Sequence, residues 1–433
     1  MKKILVFSLF ILVLGFSAFA AGKTSAAPMD MSKPSSLVLW THEDVNRSVV
    51  EKNLLKEFNA ANPNVTVDYQ TYPSNRMREL LTAALSANQG PDIFNHGQVV
   101  IRDFVVEGRV TALDPSWIGE KSIKDVKDRY LPGCLEAVEL GNDLYGIPIE
   151  GGTQCIYLNK KIFREIGLNP ETDYPKTWED VMAISEKIVR RNGEIITRRG
   201  FDFRYPEYFY FVPMVEQLGG RLVSEDGKTG VVNDDAWLQF FEYLRQWGPL
   251  GKNLGSPSYA AARTEFDLDN NSVTMSLSGL YQEGRMKTNN PDFYNSGEWM
   301  IIPYPKWTNA IKDAACPYGC QYYVINSQIS QEDKIWGWRV ADFMLSHGED
   351  YLRDAAILQP TYKLYTSDLF KSMPYSDVFY GDMQRAKLNY HGEHSNALSD
   401  RLVEAVTKVL VQGNDPKSVL TSFRREVQEI LNQ

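Results

Sequence analysis

The sequence predicts an α/β protein of two or more domains, the first built on a mostly parallel sheet with helices on both faces. Short apolar runs alternate with segments of helical period from Leu37 to Phe94, in the order strand, helix, strand, helix, strand. A second region of the same kind follows Pro148. The chain has 433 residues, enough to bury more than one core.

The elements follow in order. Leu37-Val38-Leu39-Trp40 is a short apolar run that reads as a buried strand. Val50, Leu54 and Phe58 then recur at helical spacing until Asn62-Pro63 stops the helix. Val65-Thr66-Val67-Asp68-Tyr69 reads as the next strand. Met77, Leu80, Leu81, Ala84 and Leu85 line an amphipathic helix that ends at Gly90-Pro91, and Asp92-Ile93-Phe94 begins a third strand. Beyond Pro148, Trp178, Val181, Ser185 and Ile188 share one helix face. Thr177 stands ready to cap that helix, with Glu179 and Asp180 in its first turn. Late helices are expected at Trp336–Met344, Leu402–Leu410 and Val419–Leu431. In parallel sheets ligands sit beyond the carboxyl ends of the strands. That rule marks Thr41, His42 and Glu43 after the first strand, Tyr72 and Asn75 after the second, and Asn95 and His96 after the third.

The N-terminus reads as an export signal. Lys2 and Lys3 precede an apolar run from Ile4 to Phe16, and Ala18-Phe19-Ala20 offers cleavage after Ala20. The run is too short for a stable membrane helix, although a short N-terminal anchor is the alternative. The first cysteine is Cys134, so no lipid attachment point lies near the cleavage site. Residues 21–35, rich in Ala, Ser, Lys and Pro, read as a spacer, and the expected location is the periplasm without a lipid anchor.

The formal charge of −9 becomes two units more negative once Lys2 and Lys3 are removed, which argues against nucleic-acid binding. Arg190-Arg191 and Arg198-Arg199 read as a solvated loop. Four cysteines in an exported chain suggest two disulfides. Cys316 and Cys320 are spaced to close a tight loop, which leaves Cys134 with Cys155; a zinc site is the rival, without His beside either pair. His391-Gly392-Glu393-His394 reads as a surface loop, with metal ligation as the alternative, and Gly227-Lys228-Thr229 as a hairpin turn. No nucleophile elbow or phosphate loop is present in the sequence, and no cofactor is expected.

One ordered set of motifs goes further. Leu144-Tyr145-Gly146-Ile147-Pro148 is followed by Tyr157-Leu158-Asn159-Lys160, then Lys161-Ile162-Phe163, Gly167-Leu168 and Pro175-Lys176-Thr177-Trp178-Glu179-Asp180. Gly90-Pro91-Asp92-Ile93, Gly219-Gly220, Val273–Met275 leading to Ser278-Gly279, Ile302-Pro303-Tyr304-Pro305 and the helix Glu332–Ser346 complete it. Together these resemble the family 1 extracellular solute-binding proteins of ATP-driven importers, the group that includes maltose-binding protein. Leu158 between Tyr157 and Asn159, and Tyr281 where many members carry Trp, depart from the pattern.

The resemblance implies a periplasmic-binding-protein type II fold, two α/β lobes joined by a hinge with the ligand cleft between them. Lobe 1 would comprise 36–149 plus 318–365, and lobe 2 150–317 plus 366–433 with the C-terminal helices. It implies a monomer that captures a mono- or oligosaccharide by lobe closure and delivers it to the permease subunits of an ABC importer, without catalysis. Sugar sites need flat aromatics for C–H faces and polar groups for the hydroxyl rim. On the resemblance, Tyr281 is the stacking residue, and Glu207, Tyr208 and Tyr210 face the cleft from lobe 2. Trp40, His42 and Glu43 face it from lobe 1 with Asn95 and His96 beside them. Glu150, Gly151 and Thr153 follow the first crossing, and Tyr318 and Tyr322 flank the return. Two alternatives stay open: a secreted glycoside hydrolase, whose sites also combine aromatics with carboxylates, and the same fold holding a glycerol phosphate ester or a polyamine.

Overall fold

Strand β1 (Ser35–His42) starts two residues before the apolar run and turns Leu37, Leu39 and Thr41 to the interior, following the strand period of two. The computed structural model describes residues 30–131, 133–202, 208–224, 227–232, 234–255, 266, 272–386 and 394–433. After β1 come α1 (Val45–Ala61), β2 (Val65–Tyr72), α2 (Ser74–Ser86), β3 (Ile93–Gly97) and α3 (Gln98–Val106), the alternation the sequence predicts. A two-residue hairpin, β4 (Glu139–Leu140) and β5 (Asp143–Leu144), leads into β6 (Ile147–Thr153).

The first sheet has the order β2-β1-β3-β12-β6, where β12 (Pro317–Ile325) returns from far along the chain. β1 pairs parallel with β2 and β3, but β12 runs antiparallel to both β3 and β6. Helices α1, α8 (Gln331–Ser346) and α9 (Gly348–Ala355) cover it, and Phe58 meets Trp336 edge-on with ring centroids 6.3 Å apart.

The second sheet has the order β11-β7-β10-β9-β8. Its strands are β7 (Cys155–Asn159), β8 (Arg190–Asn192), β9 (Ile195–Asp202), β10 (Val273–Ser278) and β11 (Trp299–Ile302). Among the described residues of this sheet only β9 and β10 pair in parallel. The basic stretch read as a loop is the β8–β9 hairpin, with Arg190 opposite Arg198 and Arg198 bonded to Glu165 at 2.7 Å. Helices α4 (Trp178–Ile188), α5 (Tyr208–Gln217), α6 (Asp234–Trp247), α11 (Ser395–Leu410) and α12 (Pro416–Leu431) surround this core. Thr177 caps α4 in a reciprocal capping box with Asp180. Trp237 is fully buried between Phe240 and Phe423, where truncation to alanine costs about 3–5 kcal/mol. The predicted turn at Gly227-Lys228-Thr229 is closed by Ser224 N–H donating to Thr229 O at 2.8 Å.

The chain passes between the lobes in three adjacent segments. The amide of Gln154 and the hydroxyl of Thr153 both donate to Cys316 O, at 3.0 and 2.7 Å, which ties the first crossing to the second. Gly151 N–H donates to Leu358 O at 3.2 Å, which ties it to the third. A Cβ on Gly151 would come within 2.5 Å of Cys320 Sγ and 3.2 Å of Pro360, so this close approach requires glycine.

The expected cysteine pairs are not those the fold brings together. Cys316 immediately precedes β12 and Cys320 lies within it. Cys316 packs in the second-lobe core and Cys320 in the first-lobe core. Cys134 packs in the first-lobe core and Cys155 in a separate cluster with Tyr157 and Trp299. All four cysteines are buried thiols.

Candidate functional site

The carboxyl edge of the first sheet carries an aromatic pair. β1 and β2 run in register, with His42 opposite Tyr72, so the rings of Trp40 and Tyr72 meet at 4.7 Å between centroids, tilted by 51°. Trp40 is partly buried, and its Nε1 is enclosed without a hydrogen-bond partner among the described residues. Glu43, just beyond, is exposed, and its amide donates to Tyr72 O at 2.8 Å.

A buried polar network stiffens this edge from behind. Asp44 caps α1 by accepting from the amides of Asn46 and Arg47. One turn in, Arg47 donates to Thr41 Oγ1 at 2.6 Å and to His42 O, and lies 3.6 Å from Glu51. Glu51 also accepts from Tyr69 and Tyr323, each at 2.6 Å, and from Tyr351 at 3.3 Å. Burial works most strongly against the Arg47 charge, but Glu51, Tyr323, Tyr69 and Asp44 together outweigh it and hold the guanidinium protonated. Thr41 donates to Asn95 Oδ1 at 3.1 Å, His42 Nδ1 lies 3.1 Å from the same oxygen, and Asn95 Nδ2 donates to Gln321 Oε1 at 3.2 Å.

His96 has a defined tautomer. Its Nδ1 accepts from the Gly97 amide at 2.8 Å, which places the ring proton on Nε2. Burial and, after it, the nearby Arg78 charge push its pKa down to about 4. It therefore stands as a neutral donor at ordinary pH.

The second lobe contributes the start of α7 (Tyr281–Asn289), directly after β10 and Gly279. Tyr281 is 8% exposed and packs its ring against Gly279, where a Cβ would approach to 2.6 Å; the Arg285 guanidinium lies 6.0 Å from the ring centroid. Gly279 O accepts from Tyr157 at 3.0 Å. Between this turn and the first crossing, Glu150, Thr153, Leu280 and Leu358 line a cavity of about 20 Å³, room for a water rather than a larger solute.

The lobes touch on both flanks of the cleft. On one, Thr288 donates to Asn46 Oδ1 at 2.9 Å, and a Cβ on Gly284 would meet Ala355 O at 3.0 Å. On the other, Val99 of α3 packs against the second-lobe core, Arg78 stands 3.9 Å from Asp400 of α11, and Asp103 bonds Asn396. Burial pushes the Asp103 carboxyl up to about 6.

The sequence matches the model of the bacterial extracellular solute-binding protein family over residues 45–351. The chain belongs to that family. It is 26% identical over 295 residues to the arabinooligosaccharide-binding protein of Halalkalibacterium halodurans, covering 66% of this chain and 62% of that one. It is also 26% identical over 190 residues to the maltotriose-binding protein of Pyrococcus abyssi, covering 44% and 38% of the two chains. Among solved structures, the maltose/maltodextrin-binding domain of Bdellovibrio bacteriovorus bound to maltotriose superposes with a TM-score of 0.77 at 18% identity, over 92% of this chain and all of that one. UgpB of Mycobacterium tuberculosis in complex with glycerophosphocholine superposes with 0.74 at 15% identity, over 92% and 98%. These likenesses establish the two-lobed type II fold.

Within this solute-binding fold the residues marked from sequence divide. Trp40, His42, Glu43 and His96 gather at the carboxyl edge of the first sheet, and Glu150 and Thr153 line the crossing, although Thr153 spends its hydroxyl on Cys316 O. Asn95 is fully buried and serves as the hub that holds Thr41 and His42. Tyr322 corrects the reading of the return crossing. It is fully buried in the first-lobe core and donates to Cys134 O at 2.7 Å, because alternation along β12 turns it away from the cleft. Tyr208 and Tyr210 start helix α5, which sets them about 200° apart around the axis. Asn75 falls in α2 and Tyr318 in β12; for these four residues only the backbone is described. Glu207 and residues 391–393 lie outside the described residues, and His394 immediately precedes α11. Among the described residues no His, Cys, Asp or Glu cluster is placed to hold a metal.

The sequence reading missed Arg47, Glu51 and Gln98. The first two form an i,i+4 pair inside a helix otherwise read for its apolar face. Gln98 opens α3 beside Gly319 of β12, is buried, and keeps Nε2 without a partner among the described residues.

Proposed function

We propose that this chain captures a carbohydrate, a mono- or oligosaccharide, between its lobes and presents the closed form to the permease subunits of an ABC importer. The Trp40–Tyr72 pair carries the reading: a tilted aromatic surface with an unspent Nε1 donor, at the sheet edge where α/β folds take ligands. Aromatic faces suit sugar C–H surfaces, and the neutral Nε2–H of His96 suits an uncharged hydroxyl rim. The names of the arabinooligosaccharide- and maltotriose-binding relatives support the same class. The glycerophosphocholine complex of the same fold favours a second reading, a polar phosphate ester.

The protein acts as a monomer in the periplasm, with the leader of residues 1–20 removed. No helix among the described residues is long and apolar enough to cross a membrane. The lobes are 36–149 plus 318–365 and 150–317 plus 366–433, and Glu207, Tyr208, Tyr210, Asn75, Tyr281 and Tyr318 join the ligand contacts when the cleft is occupied.

A thermal-shift screen of the mature chain against mono-, di- and oligosaccharides, with phosphate esters and polyamines beside them, tests this. A ligand at a hundred times its Kd adds about 2.7 kcal/mol to the folded state. A shift with one sugar class is the expected result. A shift with phosphate esters or amines alone, or conversion of the sugar to hydrolysis products, overturns the assignment.

A further inference from the structure

Cys320 and Tyr322 lie two residues apart on β12, where alternate side chains share a face. Both point into the first-lobe core, and both reach the same residue on another segment. Tyr322 donates to Cys134 O at 2.7 Å, and the thiols of Cys134 and Cys320 are hydrogen-bonded to one another. Cys134 and Cys320 are 6% and 0% exposed within a single apolar cluster.

The other two thiols engage different acceptors. Cys155 donates to the Asp382 carboxylate at 3.4 Å, in the cluster of Tyr157, Phe266 and Trp299. Cys316 lies in the second-lobe core with its sulfur 3.5 Å from Pro317 O.

We propose that Cys134 and Cys320 close to a disulfide in the mature protein while Cys155 and Cys316 remain thiols. In the cell this rests on export, because disulfides persist in oxidising compartments. The chemistry is exchange with a disulfide oxidant. One cysteine thiolate attacks the S–S bond of oxidised glutathione, or of a thiol–disulfide oxidoreductase, and one thiol leaves. The second cysteine then displaces the other thiol from the mixed disulfide. Two protein thiols are oxidised and one disulfide is reduced to two thiols, so the exchange balances.

The bond would sit where the crossings converge. Cys320 Sγ lies against Gly151 of the first crossing, and Leu131, three residues before Cys134, donates its amide to Pro360 O of the third at 2.9 Å. A covalent link there fixes the lobe-1 end of the hinge while the other end stays free to bend.

Refolding the reduced mature chain in a buffer of reduced and oxidised glutathione, followed by alkylation, proteolysis and mass mapping, tests the pairing without relying on export. The expected product is one cross-linked peptide pair holding Cys134 and Cys320, with Cys155 and Cys316 alkylated. A 316–320, 134–155 or 155–316 link, or four alkylated cysteines, overturns it. Protein harvested from the exporting host separates the two claims. If it is fully reduced although refolding forms the bridge, the export reading fails and the pairing stands. As a second measurement, reductant should lower the Tm of the oxidised wild type and leave a Cys134→Ser/Cys320→Ser double variant unmoved.

Discussion

Glu51→Gln changes no heavy-atom shape but removes one charge from a wholly buried ion pair. The Glu51 carboxylate accepts from Tyr69, Tyr323 and Tyr351 and neutralises Arg47. The tyrosine hydroxyls can rotate to accept from an amide, so those bonds largely survive. Arg47 cannot adapt: it would keep a full charge at 1% exposure and face an NH₂ donor. Breaking a buried pair from one side costs about 3–5 kcal/mol. Arg47 retains its bonds to Thr41 and His42 O, which favours the lower end, about 3 kcal/mol. At about 2–4 °C per kcal/mol for a lobe of this size, the Tm should fall by about 6–12 °C. The assay is thermal unfolding by circular dichroism at pH 7. An Arg47→Met/Glu51→Gln double variant should recover at least half of the loss, since neither charge remains buried and the amide still meets the tyrosines. A fall below about 1 °C in Glu51→Gln, or strict additivity in the double variant, would refute the claim that this pair is electrostatically coupled.

Trp40→Ala should raise the Kd of the captured solute about tenfold or more by titration calorimetry, equivalent to about 1.4 kcal/mol or above; an unchanged Kd would place the aromatic pair outside the site. The pKa of His96 is depressed to about 4 in the folded state, so the unfolded chain takes up that proton first. Stability is full above about pH 6.5 and falls as pH drops toward 4, by about 2–3 kcal/mol, and a His96→Asn variant should show a shallower acid loss in urea titrations. Asp103 has the opposite sign, because its raised pKa of about 6 makes protonation stabilising. Asp103→Asn should therefore gain about 1 kcal/mol over the wild type at pH 7.5, an advantage that shrinks as pH falls from about 6 and is lost near pH 4; an equal gap at pH 7.5 and pH 4 contradicts it. Gly151→Ala forces a Cβ onto Cys320 and Pro360, and should cost about 1–3 kcal/mol in denaturant unfolding; a neutral result would show that the crossings can separate freely.

Much of the fold was legible because its signals are local. The apolar runs at Leu37–Trp40 and Val65–Tyr69 and the capping box at Thr177 need only neighbours a few residues away. The position of β12 is different. Nothing in its sequence says that it inserts antiparallel between β3 and β6, because that choice depends on partners more than 150 residues distant. The site shows the same division. Trp40 and His42 were readable as strand-end residues, whereas the burial of Tyr322 depends on which face of β12 meets the core. That helix α5 fully buries Phe211 in the second-lobe core also depends on distant partners. Spacing likewise misled the cysteine pairing, since four residues close a loop only if the chain turns, and here it extends.

The late return of β12 also orders the birth of the molecule. The first lobe begins at Ser35, but the strand that joins β3 to β6 ends only at Ile325, after the whole of the second sheet has been made. A chain leaving the ribosome N-terminus first cannot complete its first sheet until some three-quarters of its length has emerged. Pairing over such separations is intrinsically slow. The nascent chain thus stays threadable through most of its synthesis, and the hinge is among the last parts to lock, when both lobes are present to be joined.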